Sequence, residues 1–248
     1  MTHPHATAPR FYYSAPSACP YIDGRTERRI FADIGGPNAT LAYDLLSEAG
    51  FRRSLGFAYR PACPSCSACV AVRIPAREFA FTRPWRRIMA RNADLTANWR
   101  PARSTDEQFD LFRRYQDGRH TGGDMASMDR GEFRGMVEIG QIDGGVVEFR
   151  DASGALVAAS LVDRLSRGVS AVYTFFDPDQ PGRSLGSQAI LWMIGHARDE
   201  GLDHVYLGYW IAESRKMSYK IRFQPLEALT TDGWRPLPPT VTGTDLAL

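Results

Sequence analysis

With 248 residues, 44% of them hydrophobic, the chain is long enough for one large domain or two modest ones around a real core. No apolar stretch reaches the ~20 residues that span a bilayer, and Met1–Ala6 lacks the basic start and apolar run of a secretory signal. A soluble, cytoplasmic protein with reduced thiols and no membrane partner is expected, and its net charge of +2 hides an uneven distribution taken up below.

Residues 1–18, rich in Pro, His and Ala, read as loose until Phe11-Tyr12-Tyr13 docks. After Cys19 comes a basic strand-like run, Thr26–Asp33. Asn38 is a fitting N-cap for a helix with Leu41, Leu45, Leu46 and Ala49 on its apolar side and Gly50 as its stop. Phe51–Tyr59 looks extended and leads into Cys63-Pro-Ser-Cys66-Ser-Ala-Cys69.

Those three thiols and Cys19 are the only four cysteines in the chain. A C-x-x-C step turns two sulfurs toward one ion, a third at the same step can join them, and Cys19 can close a tetrahedral set. Cys19, Cys63, Cys66 and Cys69 are therefore candidate ligands for zinc or an Fe–S cluster. Small core thiols, a redox dithiol and, last, disulfides are the other readings. Val70–Ile74 alternates like a strand and ends at Pro75. Residues 1–80 thus read as a small α+β domain that a metal would help hold together.

The basic connecting segment 81–103 carries Arg83, Arg86, Arg87, Arg91, Arg100 and Arg103 against Asp94, with Trp85 and Trp99 between them. Arg25, Arg28, Arg29, Arg52, Arg53 and Arg60 add positive charge upstream. Guanidinium forks pair with phosphates and indole faces accept bases, so a polyanion partner is favoured over a plain solvated face. Leu95–Arg100 reads as a strand.

From Ser104 onward the order of elements is informative. Ser104-Thr-Asp-Glu107 reads as a capping box opening a helix with Phe109, Phe112 and Tyr115 on its apolar side. Asp129 and Glu132 repeat the pattern before Phe133, Met136 and Val137. Three strands follow, Gly145–Phe149, Leu156–Asp163 and Val169–Phe176, separated by hairpin turns. Ser184-Leu-Gly opens a long helix through Ile190, Leu191, Ile194 and Ala197, stopped by Gly201. Asp203–Gly208 is a strand, Glu213–Arg222 a short helix and Leu226–Thr231 a last strand, with a frayed tail beyond Trp234.

That order resembles the GNAT acyltransferase fold, so the fold class expected is α+β: a small Cys-containing N-terminal domain (1–80) and a GNAT-like domain (104–248) on a mixed, mostly antiparallel sheet. In GNAT enzymes a loop before a helix offers backbone N–H groups to a pyrophosphate. Arg183-Ser-Leu-Gly186 matches it, but Gln188 stands where that signature has Gly or Ala.

Gly50-Phe-Arg-Arg-Ser54, Tyr59–Val70, Arg183–Gly186, and Tyr206-Leu-Gly-Tyr-Trp-Ile211 with Lys216-Met-Ser-Tyr-Lys220 together resemble the aminoacyl-tRNA–protein transferases. Arg119-His120 and Asp177-Pro178 match too. The likeness runs from Tyr12 to Leu229 and is strongest to the bacterial aspartate/glutamate leucyltransferases, relatives of the eukaryotic arginyltransferases. It implies transfer of leucine from leucyl-tRNA to the α-amine of proteins beginning with Asp or Glu, marking them for degradation. The eukaryotic relatives carry a metal or Fe–S centre at an N-terminal Cys-x-x-Cys, a pair broken here by Ile22.

Aminolysis of an ester runs downhill, so the transfer requires no cofactor; holding the reactants in line supplies much of the rate. Tyr173, Asp177 and Tyr209 are candidate catalytic groups that orient the amine or the ester oxygen. Arg119, His120, Lys216 and Lys220 are candidates for reading the acidic residue, with the two lysines one helical turn apart. Ser184 and Gly186 are expected at the terminal adenosine, and Arg52, Arg53, Arg86, Arg87 and Arg91 on the acceptor stem. An arginyl-tRNA–protein transferase with a buried acid at Glu213 or Asp177, a GNAT acyl-CoA N-acyltransferase and a non-catalytic nucleic-acid binder are the alternatives. The oligomeric state stays open.

Overall fold

The computed structural model describes residues 9–240 apart from 121, 124, 139 and 140. The chain forms two compact units, one from Met1–Ile74 with Leu207–Leu248 and the other from Pro75–Tyr206. Among the described residues no helix is long and apolar enough to cross a membrane.

The first unit begins with β1 (Phe11–Tyr13), β2 (Ser17–Ala18), β3 (Thr26–Glu27), β4 (Arg29–Asp33), α1 (Ala39–Glu48), β5 (Arg52–Ser54), β6 (Phe57–Pro61) and β7 (Val70–Pro75). Four of these strands form an antiparallel sheet in the order β1-β4-β6-β5, and β2 and β3 form a ribbon. Helix α1 spans the expected residues but presents another face. Leu41 and Leu45 are 61% and 66% exposed, while Ala39, Tyr43, Leu46 and Ser47 are buried. A 3.6-residue period admits both stripes, and the one carrying the large Tyr43 ring takes more area from water. Gly50 then ends the helix at φ 79°, where a Cβ would strike the Leu229 side chain.

The second unit opens with α2 (Arg83–Arg91), a helix inside the stretch expected as a basic connector, followed by β8 (Thr96–Pro101). Only Trp85 of α2 is buried, so no apolar period marks it in the sequence. In α3 (Asp106–Arg119) the capping box falls one residue later than expected, on Thr105 and Gln108. Ser104 is engaged by Glu138 (2.8 Å from hydroxyl to carboxylate), and Glu107 pairs with Arg150 at 2.7 Å. In α4 (Arg130–Val137) the Asp129–Glu132 box stands as expected.

Strands β9 (Gly144–Arg150), β10 (Leu156–Leu165) and β11 (Gly168–Phe176) extend the sheet from β8, each pair antiparallel. After α5 (Leu185–Asp199), the first residues of β12 (His204–Trp210) pair parallel to β11. A parallel pair needs a crossover, which α5 supplies. Phe112, Phe133, Leu161 and Phe175 centre the core between α3, α4 and this mixed sheet.

Past Tyr206 the chain belongs to the first unit again. In place of the expected helix 213–222 only a short 3₁₀ turn forms, Ser218–Arg222. β13 (Glu227–Thr230) pairs antiparallel with β7 and with β14 (Gly233–Pro236). Residues 207–240 therefore do not stay with 104–206 in one domain. Arg73 of β7 binds Glu227 at 2.7 Å and Glu48 at 2.9 Å under the Trp234 ring, and the Trp234 indole donates to the Glu48 carbonyl at 3.0 Å. Nor is the start of the tail frayed, because Leu237 is buried and its amide bonds Leu226.

Candidate functional site

In the second unit, one ring gathers several of the candidates. Phe176 ends β11, and Asp177-Pro178 turns away from it. The last turns of α3 lie against this corner: the Tyr115 ring is 4.8 Å from Phe176, and the Arg119 guanidinium sits over the same ring at 5.6 Å. A Cβ on Gly118 would meet Pro178 at 2.8 Å, so that position is held to glycine. His120 caps α3 with Nε2 3.2 Å from the Tyr115 hydroxyl. The start of α5 also lies against this ring, where a Cβ on Gly186 would lie 3.1 Å from Phe176.

Two details bear on chemistry. Buried Gln116 donates to the Tyr173 hydroxyl oxygen at 2.8 Å. Ser184 sits at φ 55° in the left-handed region, and it turns the chain into a 15-residue helix whose first N–H groups and dipole favour an anion. That loop is tied down: Arg183 Nε donates to Asn92 at 2.9 Å, Asn92 Nδ2 returns a bond to the Arg183 carbonyl at 2.8 Å, and Arg183 pairs with Asp94.

Asp177 is less free than expected. Its carboxylate accepts from the Asp179 amide at 3.1 Å and from Gln180 at 2.8 Å, with Arg114 at 3.6 Å. It organises its own turn.

On α2, Arg83, Arg86, Arg87 and Arg91 are all exposed. Arg86 donates to the Phe81 carbonyl at 2.9 Å and Arg91 to that of Gly182. Arg83 and Arg87 meet no partner among the described residues, nor do the exposed Arg100 and Arg103. The tryptophans do not serve as free platforms. Trp85 is 6% exposed and packed near Phe79, and Trp99 lies 5.2 Å from His196, itself stacked on Trp192.

The first unit corrects several expectations. Arg53 is 4% exposed, on the sheet face that buries Ala32 and Ala58. Arg52 lies across Gly208, with Nη1 2.5 Å from where a Cβ would stand. Neither is an open cation for an acceptor stem, because Arg53 is buried and Arg52 is half-buried against the backbone at Gly208. Tyr209 is also buried, its hydroxyl 2.9 Å from each of the Gly50 and Tyr59 carbonyls, and burial raises its pKa well above the ordinary phenol value. Lys220 is buried with Nζ donating to the Tyr209 carbonyl, and burial pulls its pKa well down, with Arg52 adding to the shift. Lys216 is exposed and precedes the 3₁₀ turn, so the two lysines do not form the expected pair.

All four thiols line one cavity of about 30 Å³, together with Tyr21, Arg29, Tyr59 and Tyr209. Arg25 donates to Cys66 Sγ at 2.9 Å and the Arg28 amide to Cys63 Sγ at 3.4 Å. Burial, with the other three thiols adding, pushes the Cys69 thiol up to about 12. An all-sulfur donor set suits zinc or an Fe–S cluster. The spacing does not: among the described residues no three His, Cys, Asp or Glu side chains stand where one ion could hold them.

Residues 17–87 match the N-terminal and residues 107–230 the C-terminal part of the arginine-tRNA-protein transferase family. The chain belongs to that family. The aspartate/glutamate leucyltransferase of Paramagnetospirillum magneticum is 52% identical over 96% of this chain and 98% of its own. That of Gluconacetobacter diazotrophicus is 51% identical over 96% and 92%, and that of Rhodospirillum rubrum 52% over 90% and 92%. Among solved structures, L-PGS from Bacillus licheniformis covers 71% of this chain and 61% of its own at 9% identity with a TM-score of 0.49, too loose a likeness to bear on the fold.

This transferase is an aminoacyltransferase. The C-terminal family match contains the whole Phe176 corner, and the N-terminal match contains all four cysteines. Sequence reading missed Gln116, Asn92 and Phe176 itself. Gln116 lay one turn before His120, a polar residue on the helix side that also carries Phe112, and that position was its only signal.

Proposed function

We propose that this enzyme carries leucine from leucyl-tRNA to the α-amine of proteins beginning with Asp or Glu, in the cytoplasm, marking them for degradation. The observation that carries the reading is the 52% identity over 96% of the chain to a protein of that name. The Phe176 corner, on a GNAT-like reading of the second unit, supplies fitting chemistry. The acceptor's amine attacks the ester carbonyl, the tetrahedral adduct collapses to an amide, and the ribose oxygen leaves with a proton. A free α-amine has a pKa of about 8, so water suffices to take its proton. Tyr173, with its oxygen already accepting from Gln116, is poised to donate to the developing oxyanion or the leaving oxygen. The α5 N-terminus at Ser184 and Gly186 suits the phosphate of the terminal adenosine. Arg119 and His120 suit the acceptor's carboxylate, and Arg83, Arg86 and Arg87 suit the acceptor stem.

Leucine is preferred over arginine as the donated residue because Asp177, an acid in the right unit, already holds Gln180, the Asp179 amide and Arg114. Against an acyl-CoA donor stands Gln188 near the start of α5, whose amide oxygen is buried without a partner and adds a negative dipole where a pyrophosphate would need donors. Labelled Leu-tRNA, Arg-tRNA and acetyl-CoA, each offered peptides starting Asp, Glu, Arg or Ala, test the assignment. Label is expected only from Leu-tRNA, only on the Asp and Glu peptides, and none after ribonuclease. No transfer to any peptide sinks it.

Although no three of their side chains stand grouped for one ion among the described residues, the all-sulfur chemistry of Cys19, Cys63, Cys66 and Cys69 supports the proposal that they close on zinc or an Fe–S cluster that braces the first unit. No step of the transfer runs through it. Elemental analysis of anaerobically purified protein is expected to find zinc or iron, lost with a lower melting temperature in Cys66→Ser. A metal-free protein that melts like the variant refutes the brace.

A further inference from the structure

We infer that the outer edge of the four-stranded sheet in the first unit is a stacking platform for unpaired nucleotides of the donor tRNA, an inference that rests on the tRNA-dependent reading above. Strand β1 is an edge strand, and its residues Phe11 and Tyr13 are 51% and 61% exposed. Residues two apart in a strand share a face. Across the sheet, Tyr13 stands opposite Ile30, and Ile30 opposite Arg60, so Phe11, Tyr13 and Arg60 lie on one face. Phe51, just before β5, joins them with its ring 6.1 Å from Phe11.

Each end of this row of rings carries a guanidinium. Arg28 lies 4.7 Å over Tyr13 and Arg60 lies 5.3 Å over Phe51. Their polar contacts are to backbone carbonyls, Arg28 to Ser14 at 3.4 Å and Arg60 to Ala49 at 3.3 Å. Among the described residues neither meets a carboxylate. Rings exposed on an edge, flanked by cations whose charge no acid answers, are complementary to a strand that presents base faces and phosphates alternately. Duplex RNA hides its base faces, and an acidic peptide would satisfy the arginines but leave the rings bare. Of the tryptophans of the basic segment, Trp85 is buried and Trp99 is half-buried with its ring against His196, so the sheet edge supplies the base-stacking chemistry that they do not.

The test uses the full-length protein, wild type and the variants Phe11→Ala with Tyr13→Ala and Arg28→Ala with Arg60→Ala. A labelled single-stranded oligoribonucleotide, a duplex of equal length and leucyl-tRNA are the probes. The ring variant is expected to weaken single-strand binding and raise KM for leucyl-tRNA by roughly tenfold, with kcat, melting temperature and duplex binding unchanged. The arginine variant is expected to flatten the slope of log KM against log salt by about 0.7 per guanidinium. Unchanged KM for leucyl-tRNA in both variants overturns the platform, and so does a rise in KM for the acceptor peptide alone, which would make this edge a protein-docking surface. If the wild-type protein binds the oligonucleotide but transfers no leucine, the proposed reaction fails while the platform stands.

Discussion

Tyrosines of the same type, both on strands, meet opposite fates in the two units. Tyr173, near the end of β11, accepts a bond from Gln116 and is proposed to donate its proton in the transfer. Tyr209, inside β12, is walled in and bridges the Gly50 and Tyr59 carbonyls. Arginines divide the same way: Arg53 is buried in β5, whereas Arg83 and Arg87 stand exposed on α2. A side chain near an element's end or on an uncovered face stays available for chemistry. The same group on a buried face becomes a strut.

Removing one hydroxyl from each tyrosine separates these roles most sharply. Tyr173→Phe is expected to lower kcat on the order of 100-fold with an unchanged melting curve. Tyr209→Phe removes the single proton that the Gly50 and Tyr59 carbonyls share, costing about 1–3 kcal/mol of stability, with kcat at low temperature near wild type. Equal losses of kcat in both variants would falsify the division.

The arginines give a smaller version of the same contrast. Arg53→Ala is expected to cost about 1–3 kcal/mol of unfolding free energy, read from urea midpoints, through lost packing of its stem and stranded partners. The double change Arg83→Ala, Arg87→Ala should leave the urea midpoint within the ±0.5 kcal/mol of ordinary surface changes. It should raise KM for leucyl-tRNA several-fold and shrink its salt slope by about 1 per arginine.

Lys220 adds a pH test of burial. Its folded pKa is depressed, so the unfolded chain binds the extra proton between the folded value and the unfolded value of about 10.4. The stability contributed by the neutral amine is full above that unfolded value and is lost as pH falls toward the folded one. Urea midpoints should therefore gain a component that climbs with pH up to about 10, and Lys220→Met should remove it. A wild-type curve as flat as the variant's would mean the ammonium is kept.

What the sequence revealed follows from how local each signal is. The α4 capping box, the apolar stripe of α5 and the hairpin strands β9 to β11 are written within one element, and they stand where expected. The return of β13 to β7 is written nowhere locally, because it pairs residues 227 and 73. The break expected near residue 80 therefore differs from the two units observed. Arg119 and Gly186, expected from family-like motifs at element ends, both fall against the Phe176 ring. The burial of Arg53 and Lys220 was not legible, since charge in a sequence reads as exposure until the covering elements are known.

Helix α1 offers the smallest effect and the cleanest choice between two stripes that one period allows. If Leu41 and Leu45 faced the core, as their spacing with Leu46 invites, truncating either would cost about 2–5 kcal/mol. With Tyr43 and Leu46 inward instead, Leu41→Lys and Leu45→Lys place a charge in water on a helix that tolerates it, and each should move stability by no more than about 0.5 kcal/mol. Leu46→Ala, one residue along from Leu45, should then carry the full core penalty. The decisive quantity is the difference between neighbours 45 and 46, which a general weakening of the helix cannot mimic, because lysine and alanine are both good helix formers. A large loss at 45 with a small one at 46 would turn the helix back to the stripe its leucines first indicate.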